Sequence, residues 1–370
     1  MPSCRAVVHR ISTRSPDDVE GLERAFAEGR IKAGSVVAIF GKTEGNGLVN
    51  DWTRGLASRA LKDSLSRYAG PEIAGSACLV MSGGTEGGLA PHLTVFEVRQ
   101  DDGPEQREAL AVGRAHTAPL PPEDLGRSGQ VRAVARAVED AMRDAGIDDP
   151  SDVHFVQVKC PLLTSERIAE AKRRGADCVT TDTLKSMGLS RAAASLGIAL
   201  GLGEIEAVSD ATIGRDLSVF STRASASAGV ELLGHEVVVL GRGRGWSGPM
   251  RIDHAVMADA LDVEPVRAAL ARLGLGAAGQ LAPAQRNRLV ALLAKAEAPT
   301  GGRLRDYRHT MLTDSDLSPT RHARGFLAGV LAGIVGHAEL YVSGGAEHQG
   351  PDGGGPVAII VEAERDGAAQ

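Results

Sequence analysis

The sequence predicts an α/β fold of three structurally similar units around a pseudo-threefold axis, and three recurrences along the chain carry that prediction. A short hydrophobic strand runs into the same tight element at Ser82-Gly83-Gly84-Thr85-Glu86, Ser227-Ala228-Gly229-Val230-Glu231 and Ser343-Gly344-Gly345-Ala346-Glu347. Upstream of each, a lysine closes another apolar run: Lys42 after residues 36–41, Lys159 after 154–158 and Lys295 after 289–294. Between lysine and serine an arginine opens a helix of small residues, at Arg54-Gly55-Leu56-Ala57, Arg191-Ala192-Ala193-Ala194 and Arg324-Gly325-Phe326-Leu327. Repeats this long and this unevenly spaced do not stack as a solenoid, whose units are shorter. Three Lys/Arg/Ser sets meeting at one axis build a single polar pocket.

Each unit is expected to begin with a helix, enter a strand that ends at its lysine, cross through the arginine helix and return by the strand that ends at its serine. Unit one covers residues 1–105, where Val19, Leu22 and Phe26 recur at helical spacing within 16–28 and a strand near 93–99 follows Ser82. The Pro- and charge-rich piece 101–106 marks a linker. Unit two, 110–250, reads as helix 130–145, strand 154–159, helix 190–202 and closing strand 236–240. The Gly-rich segment 241–248 is the second boundary and reads as a solvated linker, not a dinucleotide turn. Unit three, 251–370, carries helices near 263–273 and 283–293, with strand 339–342 leading into the third serine loop.

Composition removes several function classes. Net charge is −6, with Lys and Arg scattered, so there is no basic stripe for nucleic acid. The longest apolar stretch, 326–336, is half a membrane span, and the N-terminus has no secretion pattern, which points to a cytoplasmic protein with no membrane partner. Cys4, Cys78, Cys160 and Cys178 form no CxxC or Cys/His cluster, against a zinc finger or disulfide framework. Gly41-Lys42-Thr43 imitates the end of a phosphate loop, but Val36 stands where that pattern needs glycine. His309, His322, His337 and His348, with Asp314 and Asp316 nearby, read as structural histidines.

The chemistry rests on the lysine–serine sets. A serine hydroxyl needs a base to become a nucleophile, and a neutral lysine in a crowded apolar site can serve. Burial and neighbouring positive charge both favour the neutral amine. Small residues after each serine let backbone N–H groups approach a substrate oxygen as an oxyanion hole. Lys42 is followed two residues on by Glu44 and Lys295 by Glu297, whereas Lys159 sits between Val158 and Cys160, so local sequence favours the second set for catalysis. Ser225 is a competing nucleophile, but Ser227 alone aligns with Ser82 and Ser343. The glycines of 345–355 expose many backbone oxygens, which suit a hard cation such as Mg²⁺ or Ca²⁺ or make an ordinary tight loop.

Several long motifs carry a family resemblance: Gly41-Lys42-Thr43-Glu44-Gly45-Asn46-Gly47, Met81-Ser82-Gly83-Gly84-Thr85-Glu86-Gly87, the run 154–164 around Lys159, Arg308-His309-Thr310-Met311-Leu312-Thr313-Asp314-Ser315-Asp316, Thr320-Arg321-His322-Ala323-Arg324 and the run 341–351. Over essentially its whole length the chain resembles the cyanuric acid hydrolase and barbiturase family. The resemblance implies a ring-opening amidase acting on a small cyclic amide, cyanuric acid to carboxybiuret and then biuret and CO₂, or barbituric acid to ureidomalonate. It implies a barrel-like core of central strands with helices outside, and a homotetramer. It also implies Ser227 as nucleophile and Lys159 as base, with the ring held by Arg54, Arg191 and Arg324, by Lys42 and Lys295, and by the backbone at Ser82-Gly83, Ser227-Ala228 and Ser343-Gly344. Arg321 is the alternative to Arg324. No organic cofactor is implied, but a structural Mg²⁺ or Ca²⁺ is, on Glu297 with Ala346, Gln349, Gly350, Pro351 and Gly354.

Overall fold

The computed structural model describes residues 3–364, which form a mixed α/β fold with three principal sheets. Each sheet has one strand order: serine strand, lysine strand, return strand, opening strand. In the first sheet these are Cys78–Gly83, Val36–Thr43, His92–Asp101 and Ser3–Ser12. In the second they are Ala224–Gly229, Val153–Pro161, Glu236–Arg242 and Leu110–His116. In the third they are Tyr341–Gly344, Leu289–Ala296, Gly355–Glu362 and Met250–Met257. Lysine and serine strands pair in parallel, and the other two pairings are antiparallel. Parallel neighbours need a crossover. The arginine helices Trp52–Ala69, Thr183–Gly201 and Pro319–Val335 provide it.

Four expectations are corrected. Each sheet opens on a strand, and the expected helix follows it, as Glu20–Ala27, Ser128–Asp144 and Glu264–Arg272. Arg5, His9 and Arg10 interrupt the apolar alternation of the first opening strand and conceal it. In the third unit the helix stops at Arg288, because the run from Leu289 is paired on both sides. A short apolar run is compatible with either element until pairing decides. The glycine-rich segment 241–248 is no solvated linker: Trp246–Ser247 joins the first sheet as a fifth strand, and the buried Trp246 indole donates to Ala145 O at 2.7 Å. Finally, the central strands belong to separate open sheets, and none closes into a barrel among the described residues.

Alternation along the strands separates two environments. One face contributes Ala38 and Phe40, Phe155, Leu293, Val80 and Tyr341 to a core shared by all three sheets, where the Phe40 ring lies 4.8 Å from Phe96 and 5.6 Å from Tyr341. The opposite face meets the helices, as where Ile39 and Leu79 pack with Leu22, Leu61 and Leu65. Burying one such side chain is worth about 1.5–3 kcal/mol. Each lysine ends the row of side chains facing the shared core, so a polar layer caps an apolar one. At the seam of the second and third sheets, His154 Nδ1 lies 2.9 Å from His254 Nδ1, beside Asp253. Arg272 holds Asp253 Oδ2 at 2.5 Å, and burial with the His254 and Arg242 charges pushes His154 down to about 3. With Asp253 already paired to Arg272, the cluster suits a packed seam better than a metal site. No helix among the described residues is long and apolar enough to cross a membrane.

Candidate active site

Parallel pairing sets each lysine directly beside its serine: Lys42 opposite Ser82, Lys159 opposite Ser227 and Lys295 opposite Ser343. Every lysine also reaches across to another sheet, to the carbonyl that precedes that sheet's serine. Lys42 Nζ donates to Val342 O at 2.7 Å, Lys159 Nζ to Met81 O at 2.7 Å and Lys295 Nζ to Ala226 O at 2.8 Å. The three contacts close a ring. Within it the second set differs from the others. Lys42 and Lys295 donate to Ser82 Oγ and Ser343 Oγ at 3.3 Å each, whereas Lys159 lies 2.8 Å from Glu231 Oε1, and Ser227 Oγ is 3.1 Å from Ser343 Oγ.

Burial pushes all three lysines below the ordinary range; Arg324 adds to this at Lys42 and Arg54 at Lys159, where Glu231 pulls the other way. Lys295 is brought down to about 7, with Arg191 contributing. An unfolded Lys295 keeps its proton until about pH 10.4, but the folded one releases it near 7. The cost of burying it is therefore full below pH 7 and is relieved as pH rises. The stability difference between the parent and Lys295→Met should shift in the parent's favour between pH 7 and 10, as read by urea denaturation across that range.

Lys159 is not the lysine free of carboxylates that its sequence neighbours suggest. Glu44 is exposed and approaches no lysine, while the only motif carboxylate within ion-pair reach of a set lysine belongs to the second set. The fifth residue of each serine motif is a functional position the sequence reading passed over, although its recurrence was visible. Glu86 accepts from Arg324 at 2.5 and 2.6 Å, and Glu347 from Arg191 at 2.8 and 2.6 Å. Glu231 faces Arg54 Nε at 3.4 Å. Each acid thus pairs with an arginine from another unit. The glycines make room for this. A Cβ on Gly84, whose φ is +99°, would sit 2.0 Å from Arg324 Nη2, and one on Gly345, φ +81°, would sit 2.3 Å from Arg191 Nε.

These side chains line a cavity of about 250 Å³ that opens to solvent, formed by Arg54, Arg191, Arg324, Ser82, Gly83, Ser227, Ala228, Ser343, Gly344 and Lys159. Lys42 and Lys295 stand behind the serines and do not line it. Ser227 is the most open of the three serines, at 6% against 4% for Ser82 and 2% for Ser343. Ser225 is fully buried and donates to Gln157 Oε1 at 2.7 Å, away from the cavity. Arg324 is buried and lines the cavity, whereas Arg321 is one-third exposed, does not line it and touches Glu86 at 3.2 Å. Gly84 N donates to Thr43 O and Gly345 N to Ala296 O, so these two amides are already engaged. A wider space of about 1000 Å³ shares Gly47, Met187, Arg191 and Gly344 with the cavity and continues it outward.

The histidines lie outside the cavity. His322 Nε2 pairs with Asp314 at 2.9 Å, and His348 Nδ1–H donates to Val219 O while Nε2 accepts from Gly214 N. Behind Lys295, Glu297 shares a cavity of about 210 Å³ with Gly353 and Gly354. Burial and the charge of Glu347 raise the Glu297 pKa.

The chain matches the amidohydrolase ring-opening protein family over residues 7–362. It belongs to this family. The cyanuric acid amidohydrolase of Azorhizobium caulinodans is 61% identical over 96% of this chain and 98% of its own. That of Bradyrhizobium sp. strain ORS 375 is 58% identical over 97% and 98%. Among solved structures, cyanuric acid hydrolase from A. caulinodans superposes with a TM-score of 0.90 at 60% identity, covering 98% of this chain and all of that one. A second cyanuric acid hydrolase, described as evolutionary innovation by structural concatenation, gives 0.92 at 46% identity with the same coverage. The family's fold therefore extends over nearly the whole described chain.

Proposed function

We propose that this protein is a cyanuric acid amidohydrolase that opens the ring by attack of Ser227 on a ring carbonyl. The observation that carries the reading is the closed ring of three lysine contacts around one small polar cavity. Cyanuric acid is a flat ring of three alternating carbonyl and N–H groups, so three similar edges of the site meet three similar edges of the ligand. Shared strand order, equivalent Lys–Ser register and cyclic Glu–Arg pairing support a pseudo-threefold axis relating units 1–105, 110–250 and 251–370.

Arg54, Arg191 and Arg324 hold the carbonyl edges, with Lys42 and Lys295 fixing Ser82 and Ser343 behind them. Lys159, the lysine that lines the cavity, takes the Ser227 proton as Oγ bonds to the carbonyl carbon. The C–N bond then breaks, the ring nitrogen takes that proton, and water releases the acyl group as carboxybiuret, which loses CO₂ to give biuret. Incubation of purified protein with cyanuric acid should yield biuret, and parallel kinetics on barbituric acid should give a much lower kcat/KM. The reverse order would make the protein a barbiturase.

The donor set behind the third serine fits a hard cation. A buried carboxyl at Glu297, its pKa raised by burial and the nearby charge of Glu347, lines one cavity with Gly353 and Gly354, and beside them Lys295 O and Gln349 O stand 3.2 and 3.3 Å from where a Cβ on Gly355 would sit. Glu297 with groups of Ala346, Gln349, Gly350, Pro351 and Gly354 would hold Mg²⁺ or Ca²⁺, whose role is structural, away from the reacting atoms. Glu297→Gln should lower the melting temperature and abolish its rise on adding Mg²⁺ or Ca²⁺, as differential scanning fluorimetry would show. Exposed Trp52, Leu233 and Tyr307 support burial against further copies in a homotetramer, and free thiols at all four cysteines suit the cytoplasm.

A further inference from the structure

The three motif acids are equivalent in sequence but not in place. Glu86 and Glu347 each grip an arginine through both oxygens. Glu231 does not: neither of its carboxylate oxygens nor Arg54 Nε makes a directed hydrogen bond, and Arg54 turns Nη2 to Leu48 O at 2.8 Å. The space filled beside Gly84 and Gly345 by an arginine is filled beside Gly229 by the Glu231 carboxylate itself, 2.0 Å from where a Cβ would stand. Glu231 has moved onto Lys159, 2.8 Å away, and Lys159 in turn is the one set lysine without a hydrogen bond to its own serine.

We infer that Glu231 is the positioning residue that singles out the second unit, holding Lys159 by an ion pair in the free enzyme and so governing when this lysine can take the Ser227 proton. The inference rests on Ser227 being the nucleophile. Lys159 is fully buried, and a lone ammonium there would shed its proton readily; a carboxylate at ion-pair distance retains it. Other groups act on the pair. Arg54 comes from the first unit's helix, Cys160 is next along the strand, and Tyr341 reaches in from the third unit. Glu236 opens the return strand with its carboxyl pushed up to about 7 by burial, and Lys159 and Glu231 both act on it. Of these only Glu231 touches Nζ. The other two sets lack such a contact, and their lysines stay bound to serines that hold the ring.

The test is the pH dependence of kcat/KM on cyanuric acid for the full chain and for Glu231→Gln, Glu231→Asp, Glu347→Gln and Glu236→Gln, with circular dichroism confirming that each is folded. Removing a charge at this distance should move the acid limb about one pH unit or more downward in Glu231→Gln. Glu231→Asp should restore most of the parent's position, and Glu347→Gln should raise KM while leaving the limb in place. Coincident limbs for parent and Glu231→Gln, or a limb that moves only with Glu236→Gln, overturn the inference. An unfolded Glu231→Gln transfers the decision to Glu231→Met, uncharged and of similar length, whose limb should likewise lie about one pH unit or more below the parent's. Ser227→Ala, assayed alongside, separates the two readings: if it is active, the nucleophile assignment fails; if it is dead while the limbs coincide, only the role of Glu231 fails.

Discussion

Ser227→Ala and Lys159→Ala should each reduce turnover of cyanuric acid by roughly 10⁴-fold or more, the cost of losing a nucleophile or its base. Both groups serve one step, so the double variant should be scarcely slower than either single one. A double variant slower by the product of the single effects would mean that the two act independently. Ser82→Ala and Ser343→Ala should weaken binding of the ring with smaller effects on kcat, because these hydroxyls remain bonded to Lys42 and Lys295 and present an edge instead of attacking. Lys159→Arg keeps a positive charge in the cavity but cannot become neutral. Its activity should be as low as that of the alanine variant, and substantial activity would assign Lys159 to binding alone.

Arg324→Ala should be the most destabilising change at the site. Arg324 and Glu86 are almost wholly buried, with 3% and 6% of their side chains exposed, and their bond crosses between units. Removing the guanidinium leaves a buried carboxylate without its main partner, a loss of about 3–5 kcal/mol. The cavity loses one ring-binding fork at the same time, so urea midpoint and KM should both worsen. Arg321→Ala is the internal comparison. Its contact with Glu86 is one-third exposed, and such pairs contribute about 0–1 kcal/mol. Equal effects of the two substitutions on KM would contradict the choice of Arg324 as the third arginine.

What the sequence disclosed and what it hid divide along physical lines. Lys42, Lys159 and Lys295 were legible because each ends a short apolar run, and a charge at that position is out of keeping with its strand unless it serves a site. Their serines were legible through the repeated small residues that follow. Opening strands were hidden, since their half-polar faces imitate loops, and so was the strand at Trp246, whose pairing depends on a partner at Cys4 far away in the chain. The company kept by Lys159 was hidden for the same reason. Sequence neighbours such as Glu44 are exposed, and a carboxylate from a distant loop lies 2.8 Å from its amine. Resemblance to a family supplied the ligand, which period and spacing could not provide, and implied the same nucleophile that local sequence favoured.

The ring of lysine-to-carbonyl bonds has an evolutionary consequence. In an assembly of three identical chains, any substitution would fall on every edge of the site at once, and an acid shifted onto one lysine would be shifted onto all three. Joining the units in one polypeptide removes that constraint. Glu231 could change partners while Glu86 and Glu347 kept theirs, and Gln157 and Ser225 could place a polar pair beneath one set where Phe40 with Val80 and Leu293 with Tyr341 occupy the matching positions. On the proposed reading, three similar units in one polypeptide can assign attack to one edge and recognition to the other two, a division of labour closed to a homotrimer.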